Sequence, residues 1–191
     1  MDFTRSDAAP RWRRFVAVGD SFTEGLWDVP GGEPPADPHA ASDVPCRGWA
    51  DILAAHLAER VAAHASDDAP FRYANLAVRG RLLGRILGEQ VPEALGLGPD
   101  LVSVVGGGND LLRPGSDPDA LAADLERAVV RVRATGADVL LATGFDTRHS
   151  PVIRRTRART AVLNAHIWTI AQRHGAYVLD MWGMRSLRDW R

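Results

Sequence analysis

Hydrophobic and polar positions change their period repeatedly along this chain. Phe15, Ala17 and the valines at 16 and 18 form a short apolar run that ends abruptly at Gly19-Asp20-Ser21, which predicts a strand buried on both faces. Residues 48–65 switch to helical spacing. Trp49, Ile52, Leu53, His56, Leu57 and Val61 recur three and four apart, so this stretch predicts a helix. Further strands are predicted over 71–78, within 100–110, over 138–144 and over 176–180. Helices are predicted over 80–95, 117–135 and about 153–174, the second with Asp117 as its cap and Pro118 in its first turn. Between Trp27 and Arg47, Pro30, Pro34, Pro35, Pro38 and Pro45 exclude regular structure. A loop this long in a compact domain is usually functional or disordered.

Strand and helix alternate throughout, which predicts an α/β fold, a parallel sheet with helices on both faces. Residues 1–13 read as a flexible N-terminal arm and 14–191 as a single domain. In open parallel sheets the ligand sits beyond the carboxyl ends of the strands. Three polar clusters follow predicted strands: Asp20-Ser21, residues 75–80, and Gly107-Gly108-Asn109-Asp110. All three are expected along one edge.

Composition narrows the function classes. The net charge of −1 gives no reason to expect a nucleic acid or an anionic membrane as partner. All basic side chains are arginine, with no lysine, and they crowd the chain from Arg148 onward. A solvated face is the plain reading of that crowding, and an anionic partner the sharper one. Cys46 is the only cysteine, so no disulfide forms within the chain and no thiol pair is available for a metal. The first fourteen residues lack the apolar run of a signal peptide, and no stretch has membrane-spanning length. A cytoplasmic location is the resulting expectation.

An ester hydrolase needs an exposed nucleophile and donors for a developing oxyanion. Ser21, where a strand passes into a helix, would present its hydroxyl and a free backbone N–H. Gly80 opens the second predicted helix, and without a Cβ its N–H can approach a substrate oxygen closely. Asn109 follows a glycine turn and offers a side-chain amide.

These clusters, "GDSFTEG" (19–25), "NLAVRG" (75–80) and "GGND" (107–110), resemble the first three sequence blocks of the SGNH, or GDSL-type, hydrolases. "RGWADILAAHL" (47–57) resembles the helix after the first block in bacterial members, and the similarity runs from about Phe15 to Asp180. The resemblance implies a flavodoxin-like three-layer α/β/α sandwich with five parallel strands in order 2-1-3-4-5, no metal and no organic cofactor. It implies a serine esterase of lipase type, with Ser21 as nucleophile and with the Ser21 N–H, Gly80 and Asn109 as oxyanion donors. Substrates in the family are esters and thioesters of lipids, small acyl groups and acetylated sugars, so a small-molecule ester is the expected partner.

The family takes its general base from a D-x-x-H block after the fifth strand. Here no histidine follows Asp180. The helix that normally comes next is missing too, so the expectation is a C-terminally incomplete domain with weak or no turnover. An apolar strip left bare over the sheet costs roughly 25 cal/mol per Å² and invites association, hence a homodimer. "DTRH" (146–149) is the one D-x-x-H present, but it follows strand four. His149 and, in the Pro-rich loop, His39 are the candidates for a substitute base. His56, His64, His166 and His174 read as helix-surface residues. Asp20 reads as structural, accepting backbone N–H groups in its turn. Trp27 and Asp28 are candidates to line the ester site, while Trp182 and Trp190 read as packing residues. The competing class is a non-catalytic α/β binding module that keeps the pocket. A third is a flavodoxin-like phosphate binder, disfavoured because Glu24 would repel the anion.

Overall fold

The computed structural model describes residues 11–26, 28–29, 31, 46–64 and 70–184. Five parallel strands form one sheet: β1 (Arg14–Val18), β2 (Arg72–Asn75), β3 (Leu101–Val104), β4 (Asp138–Ala142) and β5 (Tyr177–Leu179). Their spatial order is β2-β1-β3-β4-β5, as expected from the resemblance. The helices are α1 (Ser21–Glu24), α2 (Trp49–His64), α3 (Leu83–Arg85), α4 (Val91–Gly96), α5 (Gly108–Leu111), α6 (Pro118–Arg133) and α7 (Arg157–His174).

Alternation along the strands sorts the core into two layers. Val16 and Val18 of β1, with Val102, Val104, Val139 and Leu141, face α3, α4, α6 and α7. Phe15, Ala17 and Leu101 face the opposite way, against Ala50, Ala54 and Leu57 of α2. The layers are unequal. On the α2 side, Leu140 of β4 and Leu179 of β5 line an open groove of about 740 Å³ with Ile52 and Leu53.

The element boundaries differ from expectation most between residues 76 and 96. The second strand stops at Asn75, because Asn75 Oδ1 accepts the Ala77 N–H (3.1 Å) and turns the chain out of the sheet. Gly80 does not open the helix. It sits in an exposed turn at φ 75°, and α3 begins at Leu83, whose N–H donates to Asp110 Oδ2 (2.9 Å). The helix therefore starts where an external carboxylate supplies the missing cap.

The predicted helix over 80–95 is also not regular. Between α3 and α4 it widens into a π turn, Ile86–Gln90, which ends two residues before Pro92. Proline removes one helical donor and crowds the preceding turn, and a π turn absorbs that conflict. The widening delivers the buried Gln90 side chain to the end of β1. There the Gly19 N–H donates to Gln90 Oε1 (2.8 Å), and Gln90 Nε2 donates to the Gly19 carbonyl (3.0 Å). Gly19 has no room for a side chain: a Cβ would lie 2.5 Å from Thr23 Oγ1 and 2.8 Å from the Val105 carbonyl oxygen.

Replacing Gln90 by leucine leaves the buried Gly19 N–H without an acceptor. Urea unfolding is expected to show a loss of about 2 kcal/mol for Gln90→Leu, within the usual cost of an orphaned buried group. A variant as stable as wild type would show that the π turn does not depend on this clamp.

Candidate active site

Asp20 shapes the first corner of the site. Its Oδ1 accepts the Phe22 N–H (3.1 Å), capping α1, while its own carbonyl accepts from Thr23 (3.1 Å) and Glu24 (2.9 Å). The structural reading of Asp20 thus holds. Gly25, at φ 84°, ends the helix after one turn. Neither the hydroxyl nor the N–H of Ser21 has a hydrogen-bond partner among the described residues. Ser21 lines two cavities at once, the groove beside α2 and a second one of about 340 Å³ beyond the ends of β3 and β4.

The second corner is tied to the first by its flanks. The Val78 N–H donates to the Gly19 carbonyl (3.2 Å), and Asn75 Nδ2 donates to the Thr23 carbonyl (2.9 Å). Arg79 then grips Glu24 of α1 through Nε (3.0 Å). On the far side of Gly80, the Arg81 carbonyl accepts from Asn109 Nδ2 (3.0 Å). Gly80 is therefore held between one anchor on α1 and another on Asn109, although it lines neither cavity.

The third corner begins with Gly107, at φ 97°, which turns β3 into α5. Asn109 lines the 340 Å³ cavity together with Ser21, and its Nδ2 also approaches Asp20 Oδ2 at 3.4 Å. The structure thus brings Ser21 and Asn109 to one cavity, with Gly80 bracketed alongside. Two contributors escaped the sequence reading. Asp110 was noted only as the neighbour of Asn109, yet its carboxylate starts α3. Gln90 falls inside the helix that spacing predicts over 80–95; the proline two positions later is the available sign of an irregular turn.

Burial pushes the Asp20 carboxyl up, as does nearby Asp110, while the Phe22 N–H opposes the shift. Asp110 is also pushed up by burial, against the Leu83 N–H. Asp146 behaves in the opposite way: its hydrogen bonds from Arg157 (2.6 and 3.2 Å) hold it below the ordinary carboxylate range. That pairing decides the "DTRH" segment. The Asp146 carboxylate is committed to Arg157 and to the Arg148 N–H (3.0 Å), and exposed His149 lines neither cavity.

His39, Trp27 and Trp190 lie outside the described residues. His64 bonds the Arg60 carbonyl (2.8 Å), His166 pairs with Asp119 (2.6 Å) and His174 with Glu126 (2.7 Å). His56 is exposed on α2 near Glu59 (3.7 Å), and it also borders the groove that Ser21 lines, which helical spacing alone did not reveal. Asp28 borders the same groove, and the Trp182 ring packs under the Arg157 guanidinium at 5.3 Å. Among the described residues, no group of three His, Cys, Asp or Glu side chains is placed to hold a metal ion, and no helix is long and apolar enough to cross a membrane.

Comparison with known proteins follows the same lines. Residues 17–190 match the family model described as GDSL-like lipase/acylhydrolase. Among solved structures, the chain resembles LAE5, an alpha/beta hydrolase enzyme from the metagenome of Lake Arreo, Spain, with 24% identity and a TM-score of 0.68 over 93% of this chain and 82% of that one. It also resembles the acetylxylan esterase Axe2 from Geobacillus stearothermophilus, with 17% identity and a TM-score of 0.68 over 93% and 81% of the two chains. The lipase/acylhydrolase from Enterococcus faecalis shares 20% identity at a TM-score of 0.64 over 93% and 80%. At these identities the structural likeness speaks for the fold. No curated protein matches the chain.

The two aspartates give opposite pH signatures. A carboxyl whose folded pKa is raised, as in Asp20, contributes stability below its unfolded value near about 3.9 and loses that contribution as the pH rises through the folded value. One held low, as in Asp146, contributes above about 3.9 and loses it as the pH falls through the folded value. Thermal melts over a pH series are expected to show Asp20→Asn gaining stability relative to wild type above about pH 3.9. Asp146→Asn should show a full deficit at neutral pH that closes in acid. Parallel profiles for the two variants would contradict this assignment.

Proposed function

The chain belongs to the GDSL-like lipase/acylhydrolase family, and on that premise we propose that it is a serine hydrolase of carboxylic esters acting through an acyl-enzyme on Ser21. The single observation that carries this reading is the shared cavity of Ser21 and Asn109, with the Ser21 hydroxyl and N–H both uncommitted among the described residues. Ser21 Oγ attacks the ester carbonyl carbon as its proton passes to solvent water. The carbonyl oxygen becomes an oxyanion cradled by the Ser21 N–H, the Gly80 N–H and Asn109 Nδ2. Collapse breaks the bond to the leaving alkoxide, which takes a proton from solvent water; a second water then adds to the acyl carbon, its proton returning to Ser21 Oγ as the acid is released.

Asn109 suits its role because its amide carries two hydrogens. One is anchored on the Arg81 carbonyl, which sets the plane of the amide. The other lies near Asp20 at 3.4 Å, a long contact that an oxyanion can outcompete. Asp20 in turn holds the first turn of α1 so that Ser21 sits at the cavity mouth.

No described histidine bonds Ser21 Oγ, and slow turnover is the expected consequence. The same observation favours the second reading, a binding module that retains the pocket without chemistry. Hydrolysis of p-nitrophenyl acetate decides between them. The expected result is a slow rate abolished in Ser21→Ala and lowered about a hundredfold in Asn109→Ala, the usual cost of one oxyanion donor. A rate unchanged in Ser21→Ala, together with no labelling by a fluorophosphonate probe, would leave the binding module. A Ser21-dependent rate matching ordinary esterases would bring His39, His56 or His149 forward as base.

A further inference from the structure

The arginines that crowd the chain from Arg148 onward are used only in part by the site described above. None of the 24 acidic residues lies between Asp146 and Asp180. Arg148, Arg154, Arg155, Arg157 and Arg159 all fall early in that interval, on the segment from β4 into α7 and on the first turn of α7. Arg157 is committed to Asp146 and covers the Trp182 ring. Arg159 donates to the Arg113 carbonyl (3.0 Å), which brings exposed Arg113, just past α5, to the same place. Arg148 only grazes Asp146, at 4.0 Å. Arg154 and Arg155 are exposed and make no ion pair or side-chain hydrogen bond among the described residues.

An apolar tip stands among these charges. Among the described residues no large apolar side chain is more exposed than Val152, at 71%. The turn around it is built to hold it out. The Ser150 N–H donates to the Thr147 carbonyl (3.1 Å), the Arg154 N–H to the Ser150 carbonyl (3.1 Å), and the Ile153 N–H to Ser150 Oγ (3.3 Å). Exposed Pro151 and Val152 are thus the apex of a turn whose neighbours are fixed. Leu112, also exposed, adjoins Arg113. Thr147 and Ile153 line the cavity that Ser21 and Asn109 share, so the patch stands beside the candidate active site.

A single exposed valine, or a single exposed arginine, is ordinary surface. Their combination narrows the partner, which must offer negative charge with an apolar layer directly beneath it. A nucleic acid or an acidic polysaccharide offers the first and not the second. A bilayer with anionic headgroups offers both, since guanidinium groups rest at the phosphates while a short apolar tip reaches the acyl boundary. We propose that the β4–α7 turn is a docking surface for an anionic lipid bilayer, with Val152 entering the interface and Arg148, Arg154 and Arg155 held at the phosphates. The net charge of −1 conceals this surface, because the acidic residues that balance the arginines lie elsewhere in the chain. The assignment goes beyond the acyl-transfer reading of Ser21 and does not depend on it.

The test is co-sedimentation of the full chain with vesicles of phosphatidylglycerol and phosphatidylcholine in equal parts, against vesicles of phosphatidylcholine alone. Binding is expected to the first and not to the second, and it should weaken as salt is raised. Arg154→Gln combined with Arg155→Gln should weaken it about twenty-five-fold, at about fivefold for each arginine near an anionic surface. Val152→Ser should weaken it about tenfold, by loss of the buried apolar tip. Val152→Trp should strengthen it, because an indole favours the interface. Arg127→Gln combined with Arg131→Gln removes the same charge from the far part of α6, where Arg133 holds Asp138 at the start of β4, and should leave binding unchanged. All these side chains are exposed, so the variants are expected to melt like wild type. Ser21→Ala should bind vesicles as wild type does, which keeps this result apart from the chemistry of the serine. Equal binding to the two kinds of vesicle, or equal losses in the two arginine pairs, would overturn the assignment. Heparin binding that the Arg154 and Arg155 pair abolishes, with no vesicle binding, would overturn it in favour of a soluble polyanion.

Discussion

The arrangement of this site depends on how β1 is stopped. A buried strand that ends in the middle of a sheet must hand its last backbone groups to some partner. At Gly19 that partner is one side chain, Gln90, which satisfies both the N–H and the carbonyl. Gly19 can carry no side chain because Thr23 and the Val105 carbonyl crowd it. With the strand closed off there, Asp20 is free to cap α1, and Ser21 emerges at the junction of two cavities.

The same economy joins the other corners. Asp110 gives its carboxylate to Leu83, and Asn109 gives one amide hydrogen to Arg81. Two successive residues of the third cluster thus hold two places just past the second. Arg79 and Asn75 complete the circuit back to α1. A site preorganised this way tolerates costs that a plain core would avoid. It keeps a buried carboxyl at Asp20 and a π turn in the middle of a helix. Both are features expected where geometry serves chemistry more than stability.

The two faces of the sheet divide the remaining labour. The face under α3, α4, α6 and α7 is packed, and the cavity of about 340 Å³ lies on its rim. The α2 face is open over β4 and β5. Ser21 borders both.

Much of this was legible from local pattern. Four apolar residues before Gly19, and helical spacing from Trp49 to Val61, are enough to set a strand and a helix, because burial demands that periodicity whatever the tertiary context. Alternation of such elements then restricts the topology to a parallel sheet, and three polar breaks after strands mark the functional edge. The helix start at Leu83, the π turn and the Gln90 clamp were not legible. Each depends on a partner 27 or 71 residues away in sequence, on Asp110 or Gly19. The fate of "DTRH" was hidden for the same reason: spacing paired Asp146 with His149, whereas folding paired it with Arg157. The sequence by itself determined which groups could perform the chemistry. Only the tertiary structure decided which were left free for it, since hydrogen-bond capacity is limited and long-range neighbours compete for it.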